Sequence, residues 1–135
     1  MSRFEGMTLG RARWAVVIAG ILLPYLVRVP RGWHFLSQYL DTSLAGHLLL
    51  GGCNAIAWGA ILLASLAYRH PASVLAPALA GFGFLAYAHF GLDLASDAQA
   101  PIALVFIPIY ALLPIAIGAI LGYVIDRLLR RRDAR

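Results

Sequence analysis

The sequence predicts an all-α integral membrane protein, a single domain over residues 1–135 in which four transmembrane helices form a bundle. The chain is 61% hydrophobic and only 13% charged, and its mean hydropathy is +0.80, which lies outside the usual composition of a water-soluble domain. Four apolar segments follow one another along the chain, and a bilayer core about 30 Å thick needs roughly 20 helical residues to cross it. The bilayer is therefore the first predicted partner.

The first two predicted elements are a transmembrane helix over 14–29 and a short amphipathic helix over 31–40. The first helix is short for a crossing; it could cross if Arg28 near its end snorkels to the headgroups, or if the helix extends through Pro30 toward Trp33. The second segment is predicted to lie in the membrane interface because its apolar residues recur at helical spacing beside polar neighbours. These apolar residues are Trp33, Leu36, Tyr39 and Leu40.

Three longer helices follow, over 44–68, 72–92 and 98–127. Residues 41–43 are Asp-Thr-Ser, which offers a side-chain cap for the first of these helices. The last helix is expected to be kinked or irregular, since each proline removes a backbone donor. The prolines in this segment are Pro101, Pro108 and Pro114. The basic tail 127–135 is predicted to continue this helix beyond the membrane.

The arginines predict the orientation. The chain has a formal net charge of +5 and no lysine, and its basic residues collect on one side of the predicted crossings. Nine arginines lie there: Arg3, Arg11, Arg13, Arg69, Arg127, Arg130, Arg131, Arg132 and Arg135. The opposite side holds only Arg28 and Arg31. The positive-inside rule then places both termini in the cytoplasm, as in a bacterial inner membrane. No segment carries a basic face with interleaved aromatic residues, so no nucleic-acid partner is expected.

Histidines and acids converge on the predicted outer face. His47, near the start of the second transmembrane helix, and His89, near the end of the third, are expected at similar depth. Asp93 follows His89 by one helical turn and could accept its imidazole N–H, as carboxylates do behind metal-bound histidines. A metal, haem or small-solute site is one interpretation, with His34 or Asp97 as further ligands. The favoured interpretation is a set of interfacial helix caps, and no cofactor is predicted.

The second transmembrane helix has a polar face. Alternate steps of four and three residues from His47 place most of its polar atoms on one side. The residues on this face are His47, Gly51, Asn54, Trp58, Ile61, Ser65 and Tyr68. Asn54 lies near mid-bilayer and should point into the bundle and find a partner there. The face could line a solute path, but a packing seam is favoured because His47 is its one readily ionisable group.

Small residues recur at intervals of four on two helices. Gly51, Ala55 and Gly59 do so on the second transmembrane helix, and Gly118 and Gly122 on the fourth. Such small-xxx-small runs let another helix approach closely. They predict helix packing, within the bundle or against another protein.

The sequence favours a non-enzymatic function. No nucleophile-elbow or phosphate-loop pattern is present, and Cys53, the single cysteine, has no evident activating base. The leading hypothesis is an accessory or immunity-type interaction protein that packs against a membrane-protein partner or a second copy of itself. The alternatives are ligand binding at the outer-face histidines and small-solute transport along the polar face.

Overall fold

The computed structural model of the protein describes residues 6–135. Five α-helices cover most of this range, and no strand occurs within it. The helices are α1 Leu9–Leu26, α2 Trp33–Leu40, α3 Leu44–Ser65, α4 Leu75–Gly91 and α5 Ala103–Asp133. Short 3-10 turns cover Val29–Arg31, Pro71–Val74 and Ala100–Ile102. The predicted all-helical class is confirmed.

Four segments of the described chain are long and apolar enough to cross a membrane. They are Leu9–Arg31, Leu44–Ser65, Pro71–Gly91 and Ala100–Asp133. Contacts between their ends show an up-and-down bundle, since the start of α1 meets the end of α3, and the start of α4 meets the end of α5. The start of α1 and the end of α5 thus lie at the same end of the bundle. Arg3, which contributed to the predicted orientation, lies outside the described residues.

The helix boundaries refine the predictions. The hydroxyl of Thr8 accepts from the Arg11 backbone N–H and caps α1, which therefore begins five residues before the predicted position 14. Ser43 caps α3 in the same way by accepting from Gly46 at 3.2 Å. Pro30 lies in the 3-10 turn after α1, so the helix does not continue through it. The amphipathic segment is indeed helical over Trp33–Leu40.

The last transmembrane helix begins later and ends later than predicted. Pro101 belongs to the 3-10 turn before α5, where its missing N–H leaves no gap in the helix. Pro108 and Pro114 lie inside α5. The helix then continues to Asp133, so most of the basic tail is a direct extension of the transmembrane segment.

An apolar layer fills the middle of the bundle. Its side chains come from α3, α4 and α5 and are at most 3% exposed: Ala57, Ile61, Leu85, Ala111 and Ile115. Helix α1 packs over α3 and α4, where Trp58 of α3 lies directly against Gly20. A side chain at Gly20 would collide with this indole, so α1 approaches closely only because residue 20 is glycine.

The two predicted small-residue runs have different environments. A Cβ at Gly118 would lie 2.7 Å from the Ala76 carbonyl oxygen and the Pro77 Cα, and one at Gly122 would lie 2.5 Å from the Ser73 carbonyl oxygen. These two glycines therefore allow α5 to pack closely against the start of α4. On α3, a Cβ at Gly51 or Gly59 would meet no atom of the described chain within 4 Å. At Gly51 and Gly59 the α3 run therefore makes no such close contact with another helix of the bundle.

This difference predicts unequal effects of adding one methyl group. Gly118→Ala should lower the free energy of unfolding by about 1–3 kcal/mol, because the atoms it meets are backbone and the helices must separate. Gly52→Ala, which also has open space around it, should cause no loss, since alanine favours the helix over glycine. Unfolding in detergent micelles measures both changes. Equal destabilisation by the two substitutions would contradict the predicted packing.

Candidate functional site

A buried arginine lies at the end of the bundle where α1 and α4 finish. The side chain of Arg28 is fully buried, and four of its N–H bonds are used. Its Nε donates to the Phe35 carbonyl at 2.7 Å, and its Nη1 donates to the carbonyls of His89 and Leu92 at 2.9 and 2.7 Å. Its Nη2 donates to Oε1 of Gln38 at 2.7 Å. Of the two alternatives for the first crossing, a snorkelling Arg28 is therefore excluded.

These bonds cap the C-terminal end of α4. The last carbonyls of a helix have no partner within the helix, and the helix dipole makes this end negative. The His89 and Leu92 carbonyls accept from Arg28, and the Phe90 carbonyl accepts from Arg31 at 2.6 Å. Two arginines from the α1–α2 connection thus replace the water that would solvate these oxygens in a soluble protein. Burying a guanidinium is costly unless its donors are satisfied, and here the end of α4 together with Phe35 and Gln38 of α2 satisfies them.

Gln38 connects Arg28 to a carboxylate. Its Oε1 accepts from Arg28 and from the Leu94 backbone N–H, while its Nε2 donates to Oδ1 of Asp93 at 2.8 Å. The same oxygen of Asp93 accepts from the Ala95 N–H at 3.0 Å. These two donors lower the pKa of Asp93, the backbone bond from Ala95 having the larger effect. Gln38 thus bridges the buried guanidinium of Arg28 and the ionised carboxylate of Asp93.

A second chain of hydrogen bonds crosses the cluster from α2 to α3. The Tyr39 hydroxyl lies 2.7 Å from Nδ1 of His89, and Nε2 of His89 lies 3.1 Å from Oδ1 of Asn54. Since an amide oxygen can only accept, Nε2 carries the proton, and the hydroxyl donates to Nδ1. Burial raises the pKa of Tyr39 to about 12, against the opposing charge of Arg28, so the hydroxyl remains a donor. The Tyr39 ring also lies beneath the guanidinium, with its centroid 4.0 Å from Cζ of Arg28.

Asn54 points into the bundle and has one hydrogen-bond partner there. It is 2% exposed and bonds His89. Its Nδ2 has no hydrogen-bond partner among the described residues. We define the arginine cluster as Arg28, Gln38, Tyr39, Asn54, His89 and Asp93.

The structure divides the predicted outer-face site. His89 and Asp93 belong to the arginine cluster but do not bond each other, because α4 ends at Gly91 and Leu92 is extended, which removes the helical register between them. The α3 residue opposite His89 is Asn54, not His47; seven residues at about 1.5 Å each separate these two positions along the helix.

The remaining predicted ligands lie elsewhere. His34 is exposed with its ring against Phe35, and Oδ1 of Asp97 accepts from the Gln99 N–H in a local turn. Within residues 6–135, no group of three or more His, Cys, Asp or Glu side chains is placed to hold a metal ion.

The opposite end of the bundle is fastened by a buried aspartate. Asp126 is fully buried, and its Oδ1 accepts from the backbone N–H groups of Arg69 and His70 at 2.9 and 2.8 Å and from the Ser73 hydroxyl at 3.2 Å. Its Oδ2 pairs with Nε of Arg130 at 2.9 Å. The α3–α4 connection is thereby held against α5.

Two residues of the predicted polar face of α3 also form hydrogen bonds at this end of the bundle. The Ser65 hydroxyl accepts from Nε of Arg13 at 2.9 Å, which joins α1 to α3. The Tyr68 hydroxyl donates to the Ala119 carbonyl on α5 at 2.8 Å. Its pKa is raised by burial and by the charge of Asp126, which favours the protonated donor. Ser65 and Tyr68 thus join α3 and the residues that follow it to α1 and α5.

Comparison of the chain with protein-family models, with curated proteins and with solved structures finds no match.

Sequence reasoning missed the role of Arg28. The sequence does contain a signal for this role. Arg28 and Arg31 are the only arginines on the side of the bundle that the positive-inside rule assigns to the non-cytoplasmic face. An arginine that departs from this rule beside a helix end is a candidate cap for that end.

Arg28→Lys tests the capping geometry while keeping the charge. An ammonium cannot reach three carbonyls and an amide oxygen from one point, so buried acceptors lose their donors and the free energy of unfolding should fall by about 2–4 kcal/mol. Arg31→Lys is the matched control; because Arg31 makes its one hydrogen bond in an exposed position, it should lose less than about 1 kcal/mol. Unfolding in detergent micelles measures both. Equal losses would show that Arg28 is not the buried cap.

The lowered pKa of Asp93 predicts that the folded protein loses stability in acid. The pKa of Asp93 in the folded protein lies below its ordinary value of 3.8. The stabilisation of the fold by ionised Asp93 is therefore complete above pH 3.8 and is lost as the pH falls through the folded-state pKa. Asp93→Asn should be less stable than the wild type at neutral pH, and the difference should shrink on acidification below about pH 4. Unfolding measured from pH 7 to pH 2 gives this difference. A difference that is constant with pH would contradict an ionised Asp93 as the acceptor of Gln38.

Proposed function

We propose that this chain is a non-enzymatic membrane interaction protein, of the accessory or immunity type, that acts by packing the outward face of α3 against another transmembrane helix. The observation that carries the proposal is the contrast between its glycines. Gly118 and Gly122 are in contact with the start of α4, whereas a Cβ at Gly51, Gly52 or Gly59 would meet nothing within 4 Å. The run on α3 is free for another helix.

The shape of this face supports helix docking. The middle of this face is a shallow groove formed by the small residues Gly51, Ala55 and Gly59. Large side chains border the groove at both ends. Leu48 and Leu63 flank the groove and are 67% and 72% exposed. The face carries no charge. Within lipid, helices associate by close van der Waals packing at such small residues.

The occupant to which we commit is a second copy of this chain. A groove of small residues between leucines is complementary to itself, because the glycines of one copy admit the leucines of the other about a two-fold axis. A helix from a different membrane protein would use the same face, and the experiment below separates the two.

The alternatives have less support. The apolar layer of α3, α4 and α5 lies between the arginine cluster and Asp126, which argues against a solute path along the polar face of α3. Both ring nitrogens of His89 already have partners, which argues against their use as ligands for a metal or haem.

We place the protein, as part of this proposal, in a bacterial inner membrane with both termini in the cytoplasm. The arginine distribution supports this orientation, and the start of α1 and the end of α5 lie at one end of the bundle.

Photo-crosslinking in native membranes tests the proposal. A photoreactive residue at Leu48 or Leu63 should give a protein adduct at about twice the chain mass, containing this chain alone, because the second copy lies over that face. The substitution pair Gly51→Leu/Gly59→Leu should abolish the adduct by filling the groove. A probe at Ile120 of α5, which is 66% exposed, is the matched control and should capture lipid only.

Adducts with lipid alone from all three positions would overturn the proposal. An adduct with a different membrane protein that the same glycine substitutions abolish would support the interaction function. It would also show that the partner on the α3 face is that protein and not a second copy of this chain.

A further inference from the structure

The extension of α5 separates its charges onto two sides. The two acidic residues of α5 lie on the side that faces the bundle. Asp126 pairs with Arg130, and Asp133 lies 3.4 Å from Nε2 of His70. The opposite side carries Arg127 and Arg131, which are exposed and form no ion pair among residues 6–135. One face of the extension is therefore purely basic.

This basic face continues the lipid-facing stripe of α5. The stripe recurs at alternate steps of four and three residues, which keep to one side of a helix. In order along the helix it consists of Leu113, Ile117, Ile120, Val124, Arg127 and Arg131. The first four side chains are between 48% and 70% exposed. A lipid whose acyl chain lies along these residues has its headgroup beside the two arginines.

A shallow cavity marks the transition from the apolar part of the stripe to its basic part. Its volume is about 280 Å³, and it is lined by Tyr123, Val124, Arg127, Leu128 and Arg131. The Tyr123 ring is 46% exposed at the edge of this cavity, and tyrosine is typical of headgroup depth. The lining thus combines two guanidinium groups with an aromatic ring and aliphatic side chains.

We propose that Arg127 and Arg131 form a binding site for the phosphate of an anionic glycerophospholipid, whose acyl chains lie along Ile120 and Val124. Guanidinium groups bind phosphate oxygens through paired N–H donors. The apolar stripe directly before the arginines favours a phosphate attached to acyl chains over a soluble phosphate. The site is independent of the α3 face and of which end of the bundle faces the cytoplasm.

Lipid selectivity in nanodiscs tests the site. The full-length protein is placed in phosphatidylcholine nanodiscs containing a small fraction of spin-labelled phosphatidylglycerol, and the preference of the bound lipid shell for phosphatidylglycerol is measured by electron paramagnetic resonance. Arg127→Gln/Arg131→Gln should reduce this preference by roughly tenfold for each arginine removed, since each loses its charge-assisted hydrogen bonds to the lipid phosphate. Arg127→Lys/Arg131→Lys should retain most of the preference, which controls for charge.

The matched control pair is Arg69→Gln/Arg132→Gln. It removes the same charge from the same end of the bundle through exposed side chains outside the stripe, and it should change the preference by less than about twofold, since surface charge alone acts diffusely. Equal reductions by the two pairs, or none by either, would overturn the site. Loss of the preference on adding inorganic phosphate, but not on adding chloride at the same ionic strength, would assign the arginines to a soluble phosphate and would also overturn it.

Discussion

The end of α4 imposes the constraint on which this bundle depends. A helix that stops within or near the bilayer leaves carbonyl groups that water cannot reach, and each such group is costly. Arg28 removes this cost by donating to the His89 and Leu92 carbonyls while it is itself fully buried. The cap and the buried charge stabilise each other, because either one alone would be an unsatisfied polar group in an apolar environment.

Several features of the arginine-cluster end follow from this pairing. Arg28 also bonds the Phe35 carbonyl and Gln38, and so it fixes α2 across the end of the bundle. This position of α2 brings the Tyr39 hydroxyl to His89, which in turn bonds Asn54 in the middle of α3. The polar residues at this end thus hold α2, α3 and α4 together through hydrogen bonds, while a Cβ at Gly51, Gly52 or Gly59 of α3 would meet no described atom within 4 Å.

The fold could be predicted to a large extent from sequence, since four apolar segments of sufficient length have few alternatives to a membrane bundle. Asn54 was also predictable, because an amide at mid-bilayer needs a partner. The separation of His89 from Asp93 was not: the predicted helix 72–92 ends within one residue of α4, but their spacing of four pairs the two side chains only on a helix that continues through Asp93. The burial of Arg28 depends on carbonyls more than 60 residues along the chain, so local rules offered only a snorkelling arginine or a longer helix as alternatives. The glycines of α3 and α5 look alike in sequence and differ only in what faces them.

The most direct test of the central claim is the location of the Arg28 guanidinium in a lipid bilayer. Solid-state nuclear magnetic resonance can measure dipolar couplings from the labelled Arg28 side-chain nitrogens to labelled backbone carbonyls and to lipid phosphorus. The structure predicts strong coupling of Nη1 to the carbonyls of His89 and Leu92, whose oxygens lie 2.9 and 2.7 Å away, and none to lipid phosphate. Coupling to phosphorus without coupling to these carbonyls would show a snorkelling arginine and would contradict the capped end of α4.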